Sequence, residues 1–304
     1  MKRVLYMGTP EYASTILSAL IDAEDIEVVS VFTQPDRPVG RKRVLTPPPV
    51  KRLAMEHSIE VHQPETLSTD EVLSTIGDAG ADMIIVAAYG RILPAEILEM
   101  APCINLHASL LPLYRGASPI QHALLNADEY TGVTAMMMEE GLDTGPALAY
   151  SVRRIGEDDG LSCLMKSLAE DAAELTLDVV RGFDRLEPIS QTGAVATKCG
   201  KIVRSDGEVR FDRSDRIYDR YRAFEGWPGI FLADGTKLLD ISPGPDSLGG
   251  EEGKIVAMEG ESVTISCLKG SVILHRIQPP SKKAMSAKAY MVGRGFGIGD
   301  TPFR

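Results

Sequence analysis

The 304-residue chain carries 32 Lys and Arg against 43 Asp and Glu, a formal charge of -11. Its 44% hydrophobic and 25% charged residues are the proportions of a globular protein and exclude a disordered, collagenous or coiled-coil chain. No run of 18 apolar residues occurs, and the short apolar run after Met1-Lys2-Arg3 ends in Gly8-Thr9-Pro10 without a cleavage site, so a cytoplasmic protein that does not engage membranes is expected.

Residues 3–7 read as a buried strand. Thr9 suits an N-cap and Pro10 the first position of a helix over 11–23. Residues 27–33 are rich in β-branched side chains and predict a second strand. The basic, proline-rich stretch 35–49 predicts a loop, 50–57 a helix, 59–62 a third strand and 71–79 a helix. Residues 82–88 are a continuous apolar run, the pattern of a strand covered on both faces. A helix over 91–100 and a strand over 103–107 follow. Strands alternating with helices predict a parallel α/β sheet, with ligands at the carboxyl ends of the strands. The first turn lacks G-x-G-x-x-G, which argues against a dinucleotide site.

After a long helix over 161–182 the texture changes. Residues 190–204 are polar and predict a linker. Strand-like runs at 209–211, 230–233, 237–241, 254–258, 262–268 and 272–277, with one helix at 215–223, predict a small β-barrel over 205–304.

The four cysteines, Cys103, Cys163, Cys199 and Cys267, lie far apart, which points to reduced, mostly buried thiols and not to disulfides or zinc. The histidines show no metal-ligand spacing, so no metal site is expected; His57, His62, His122 and His275 read as surface or helix positions. Charge is unevenly placed. Residues 37–55 hold six basic residues and no acid, whereas 128–187 hold fourteen acids and five bases. On charge alone this is an ordinary solvated surface.

Asn105-Leu106-His107 ends a strand at the sheet's carboxyl edge, and residues two apart on a strand face the same side. An amide can donate to a developing oxyanion while an imidazole moves protons, the requirements of acyl transfer. Farther on, Glu139-Glu140-Gly141-Leu142-Asp143-Thr144-Gly145-Pro146 is a glycine-bounded turn carrying a carboxylate. Brought beside His107, Asp143 would orient the ring and favour its protonated form.

Asn-x-His, then Ser109-Leu110-Leu111-Pro112, Arg115-Gly116-Ala117 and Gly141-Leu142-Asp143-Thr144-Gly145 resemble the folate-dependent formyltransferase superfamily. Phe32-Thr33-Gln34-Pro35-Asp36-Arg37-Pro38-Val39-Gly40-Arg41 narrows the resemblance to the branch that formylates methionyl-tRNA, as do Lys51, Ala88-Tyr89-Gly90-Arg91-Ile92-Leu93-Pro94, Gly226-Trp227-Pro228 and Lys282-Lys283-Ala284-Met285. The resemblance implies an α/β fold: a Rossmann-like catalytic domain over 1–189 and an OB-like, tRNA-binding barrel over 205–304. It implies Asn105, His107 and Asp143 as catalytic residues. Ala88, Tyr89, Ile92, Leu93, Ser109, Leu110, Leu111, Pro112, Gly141 and Leu142 would hold the formyl donor, 10-formyltetrahydrofolate. Arg37, Arg41, Lys42 and Arg43 would bind the acceptor end of initiator methionyl-tRNA. A monomer is expected. The segment after Arg41 lacks a glycine usual in this loop, and the glycine-rich tail around Gly293–Gly299 has no implied role. The rival reading is a formyltransferase acting on a small amine, a ribonucleotide or amino sugar; it gives no purpose to the basic loop and the barrel. Cys103 reads as core, which leaves the transfer without a covalent enzyme intermediate. Trp227, the one tryptophan, reads as a core anchor of the second domain.

Overall fold

The structure is a computed structural model that describes residues 1–40 and 42–303; Arg41 lies outside the described residues. Two compact units emerge. The first comprises Met1–Ile120, Glu129–Ile155 and Cys163–Gly200, and the second Gln121–Asp128, Gly156–Ser162 and Lys201–Arg304.

In the first unit the chain runs β1 (Lys2–Gly8), α1 (Glu11–Asp22), β2 (Ile26–Phe32), β3 (Arg37–Val39), β4 (Val44–Thr46), α2 (Pro49–Glu56), β5 (Val61–His62), α3 (Asp70–Asp78), β6 (Met83–Ala87), α4 (Ala95–Met100) and β7 (Cys103–His107). There follow β8 (Arg115–Gly116), α5 (Pro119–Leu125, from Gln121 on part of the second unit), β9 (Tyr130–Met137), β10 (Ala147–Arg154), α6 (Leu161–Gly182, in the first unit from Cys163) and β11 (Lys198–Cys199). The sheet order is β10-β9-β7-β6-β1-β2-β5. The five strands from β7 to β5 are parallel, as the βα alternation predicts; β9 adds antiparallel to β7, and β10 antiparallel to β9. Leu5, Met7, Phe32, Ile84, Val86, Ile97 and Cys103 pack into one buried cluster on a face of this sheet. The apolar run of β6 is buried at all five positions because helices or loops cover both sides.

Several boundaries differ from expectation for identifiable reasons. Pro10, not Thr9, occupies the N-cap of α1 without a side-chain cap, and the Thr9 hydroxyl instead donates to the Tyr89 carbonyl at 3.2 Å. The helix expected from residue 91 starts at Ala95, with Pro94 as N-cap, because the residue before a proline is pushed out of helical geometry. Stretch 35–49 contains the hairpin β3–β4, in register Arg37↔Thr46, Pro38↔Leu45, Val39↔Val44. Strands β9 and β10 were not expected. Residues 198–199, inside the expected linker, pair in parallel with β8.

The second unit holds α7 (Ser214–Ala223), β12 (Ile230–Phe231), β13 (Lys237–Gly244), β14 (Ile255–Glu259), β15 (Ser262–Ser266), β16 (Ser271–Gln278), β17 (Met285–Ser286) and α8 (Ala287–Gly293). One antiparallel sheet runs β12-β13-β16-β15-β14, with β17 on β16. Leu238, Ile241, Ile255, Val263, Ile265, Val272, Leu274 and Ile277 alternate into its core. Residues 209–211 form no strand: the Val209 N–H donates to the Phe231 carbonyl at 2.9 Å, and Val209 and Phe211 are buried beside the sheet. His275 is half-buried and lies not on a helix but on β16, between the hydroxyls of Ser242 (2.9 Å) and Ser262 (2.8 Å). His62, also half-buried, is on strand β5, stacked on Phe32. Trp227 is 59% exposed, so it is no core anchor. The tail is an ordered part of this unit. Asp300 O accepts from Ile255 N, Gly299 N donates back to Ile255 O, and the Phe303 ring stacks on Phe211 and Tyr290.

Candidate active site

At the carboxyl edge of β1, β6 and β7 the backbone is packed too closely for ordinary residues. A Cβ on Gly8 would sit 2.7 Å from the Ala13 Cβ and 3.1 Å from the Ala87 carbonyl oxygen, so glycine lets the first turn lie against the end of β6. Beyond β6 the chain leaves regular geometry: Ala88 has φ +45° and Gly90 φ +81°, and residues 88–94 are neither helix nor strand.

Asn105 and His107 come from β7, which pairs with β6 on one side (Val86↔Asn105) and β9 on the other (His107↔Thr134). The central position of β7 fixes their backbone. Asn105 is half-buried and His107 is 7% exposed. The His107 Nε2 lies 2.9 Å from the Tyr114 carbonyl. A carbonyl only accepts, so Nε2 donates and the tautomer is defined. The other ring nitrogen, Nδ1, faces Asp143 Oδ2 at 3.8 Å, longer than a direct hydrogen bond. Asp143 sits at φ +52° in the turn between β9 and β10, and its Oδ2 accepts from the Gly116 N–H at 2.8 Å.

The turn and the loop after β7 are held from below by residues 191–199. Gln191 Nε2 donates to the main-chain carbonyls of Asp143 (3.0 Å) and Gly145 (2.7 Å). Its Oε1 accepts from Arg115 Nε (3.0 Å) and from that guanidinium's terminal nitrogen (2.7 Å). Thr197 accepts from the Tyr114 N–H at 2.8 Å and, through its carbonyl, from the Arg115 N–H at 2.9 Å. The Cys199 carbonyl accepts from the Ala117 N–H at 3.2 Å. Gly116, at φ +129°, is needed here because a Cβ would overlap the Cys199 carbonyl oxygen.

The residues expected at the donor site divide into two groups. Leu93, Leu111 and Tyr89 are buried, and Tyr89 Oη has no hydrogen-bond partner among the described residues. Ala88, Ile92, Gly141 and Leu142 are exposed; Leu110 and Pro112 are half-buried. Ser109 is buried and its hydroxyl donates to the Leu113 carbonyl at 2.6 Å, while Thr134 Oγ1 donates to Ser109 O and accepts from Leu111 N. That hydroxyl therefore closes the loop. Cys103 points into the cluster beneath Asn105, and burial pushes its thiol up to about 12, out of the range of a nucleophilic thiolate. Arg37, Lys42 and Arg43 lie exposed on the hairpin, away from the trio in sequence and element, and Arg41 is outside the described residues. The hairpin's root is ordered: Asp36 accepts from Lys51 at 2.9 Å and Gln63 at 2.8 Å, and these bonds hold its carboxyl below the usual carboxylate range.

Sequence reasoning missed Gln191, Thr197 and the carbonyl of Tyr114. A single glutamine in a polar stretch carries no periodicity, and a main-chain carbonyl has no residue signature.

The α/β sheet with an amide, an imidazole and a carboxylate at its carboxyl edge defines an acyl-transfer class of protein. The formyl transferase family model matches residues 2–180, and the model of the formyl transferase C-terminal domain matches residues 201–295. A Sulfurovum sp. protein described as methionyl-tRNA formyltransferase is 52% identical over 298 residues, 98% of each chain. Among solved structures, methionyl-tRNA formyltransferase from Clostridium thermocellum superposes with TM-score 0.56 at 18% identity, covering 80% of this chain and 93% of that one. HypX from Aquifex aeolicus in complex with tetrahydrofolic acid gives TM-score 0.62 at 16% identity, covering 97% of this chain, which spans about half (48%) of that longer protein. The chain belongs to the methionyl-tRNA formyltransferase family.

Proposed function

We propose that the protein transfers the formyl group of 10-formyltetrahydrofolate to the free amino group of methionine on initiator methionyl-tRNA, in the cytoplasm and as a monomer. The observation that carries the reading is the ring of His107, held between Tyr114 O and Asp143 beside Asn105 at the sheet edge. The full-length relationship at 52% identity supports the substrate.

The folate donor supplies a formyl carbonyl on a ring-linked nitrogen. The residues fit such a group. Stretch 88–94 is neither helix nor strand; the carbonyls of Tyr89 and Pro94 are taken by Thr9, Gln34 and the start of α4, and the remaining peptide groups suit the alternating donors and acceptors of a pterin edge. Leu93 and Leu111 give apolar walls, with Ile92 and Leu142 exposed at the rim. Ser109 contributes by shaping the loop.

Asn105 donates to the formyl oxygen as attack by the amine builds negative charge there. His107, with its ring held by Tyr114 O and Asp143, places positive charge beside the same oxygen. Its imidazolium form, with two N–H groups, matches the two acceptors around it, Tyr114 O and Asp143. Asp143 holds the ring and takes the proton lost by the attacking amine, through water across the 3.8 Å gap. The new carbon–nitrogen bond forms as the bond to the folate nitrogen breaks, and that nitrogen receives through water the proton that Asp143 took from the amine, which leaves the carboxylate as it began. Arg37, Arg41, Lys42 and Arg43 meet phosphates near the acceptor end.

The test is incubation with 10-formyltetrahydrofolate and either methionyl-tRNA, free methionine or an amino sugar nucleotide. Formylation of methionyl-tRNA alone is the expected outcome; preferential formylation of a small amine would overturn the reading.

A further inference from the structure

We infer that Gln191 is a positioning residue for the reaction, acting through Asp143; this deepens the proposed function and rests on it. Asp143 stands on a turn whose flanks, Glu140, Gly141, Leu142 and Thr144, are exposed. Its backbone is in the left-handed region, a conformation that a non-glycine residue keeps only when its surroundings over-determine it. Two contacts supply that determination from different directions. The Gly116 N–H fixes the carboxylate, and Gln191 fixes the main chain by donating to the carbonyls of Asp143 and Gly145.

The two contacts are coupled. Gln191 Oε1 accepts both N–H groups of the Arg115 guanidinium edge, and Arg115 is the residue next to Gly116. One side-chain amide therefore spans the carbonyls behind the carboxylate and the residue beside its N–H donor. Its orientation is set, since the guanidinium can only donate and the carbonyls only accept. Ile189, two residues earlier, anchors the segment by exchanging both main-chain hydrogen bonds with Ala147 at 2.8 Å. The Asp143 to His107 separation of 3.8 Å is a length at which a small displacement separates a bridging geometry from none.

The experiment compares Gln191→Glu and Gln191→Ala. Glutamate is isosteric and keeps a partner for Arg115, but cannot donate to the two carbonyls. Both variants are expected to lower kcat about 10- to 100-fold while KM for methionyl-tRNA and for the folate stays within about twofold. In an Asp143→Asn background the same substitutions are expected to cost nothing further, since their effect passes through that carboxylate. Hydrogen exchange of the free protein is expected to show faster exchange of the Gly116 amide in both variants. Full activity of Gln191→Glu, an added loss in the Asp143→Asn background, or unchanged Gly116 exchange would each overturn the inference. A parent enzyme that does not formylate methionyl-tRNA would overturn the functional reading instead, and the Gly116 exchange would still decide whether Gln191 holds this turn.

Discussion

Two structures rise from the same sheet and are held in opposite ways. The loop after β7 and the turn carrying Asp143 are tied down by hydrogen bonds to Thr134, Gln191, Thr197 and Cys199. The β3–β4 hairpin is held at its root, by Asp36, Lys51 and Gln63, and every described residue of its strands is exposed. Val39, Val44 and Leu45 stand out from it beside Lys42 and Arg43. The contrast fits the roles proposed for each. Moving a proton needs groups fixed to a fraction of an ångström, whereas contacting phosphates through long side chains tolerates several geometries. The first region should therefore set turnover and the second the use of tRNA.

The largest expected effect is Asp143→Asn, which should fold normally and lose about 10²–10⁴ in kcat, the range for a proton-transfer group. Near-normal single turnover at saturating substrates would remove Asp143 from the mechanism. Asn105→Ala should lose about 10²–10³, the loss for one oxyanion donor. A loss confined to folate affinity would make Asn105 a binding residue. Gly116→Ala probes the fixed loop without touching a reacting group. Its Cβ would overlap the Cys199 carbonyl in a conformation unsuited to alanine, so a destabilisation of about 1–3 kcal/mol in urea melts should accompany falling kcat. An alanine variant with parental stability would show that β8 and β11 can part freely.

On the hairpin, Arg41→Ala, Lys42→Ala and Arg43→Ala should raise KM for methionyl-tRNA and leave kcat and folate binding alone. The parent affinity should fall with salt at a log–log slope of about -0.9 or shallower per phosphate contact, and each variant should flatten it. An unchanged tRNA dependence would break the comparison and revive the small-amine reading. The smallest effect is at the root. The Asp36 carboxyl is depressed by Gln63 and Lys51, so its contribution is present above the ordinary carboxylate value near ~3.9 and is lost as pH falls through the lower folded value. Asp36→Asn should lower the melting temperature slightly at neutral pH and not at all in strong acid. A difference that persisted in acid would mean that the carboxylate charge is not what anchors the hairpin.

Much of the catalytic sheet was legible in the chain. The apolar strands at 3–7, 82–88 and 103–107 and the helices between them are local patterns, and Asn105-x-His107 follows from strand alternation alone. What was not legible depends on distance or on broken patterns. Strands β9 and β10 escaped because β9 is buried almost throughout and contains Gly132, so it shows no alternation, while a Cβ at Gly132 would overlap the Ser151 carbonyl of β10. The hairpin escaped because Pro38 breaks a strand pattern, although an edge strand accepts it. Trp227 escaped because a lone tryptophan is most often core. Gln191 reaches a turn 48 residues earlier in the chain, and no local signal carries that.

The strap that braces the site is also the last part of the first unit to be synthesised. Residues 112–117 and 141–145 leave the ribosome well before Gln191, Thr197 and Cys199. Residues 191–199 lie beyond the match to the formyl transferase model, which ends at 180. A nascent chain, or a fragment cut at that border, holds every strand of the seven-stranded sheet and both catalytic loops but lacks β11. The long-range closure by β11 is the kind of contact that forms late, after local elements have settled. The hydrogen bonds that hold the Asp143 turn and the loop after β7 are thus complete only once the chain has grown past residue 199.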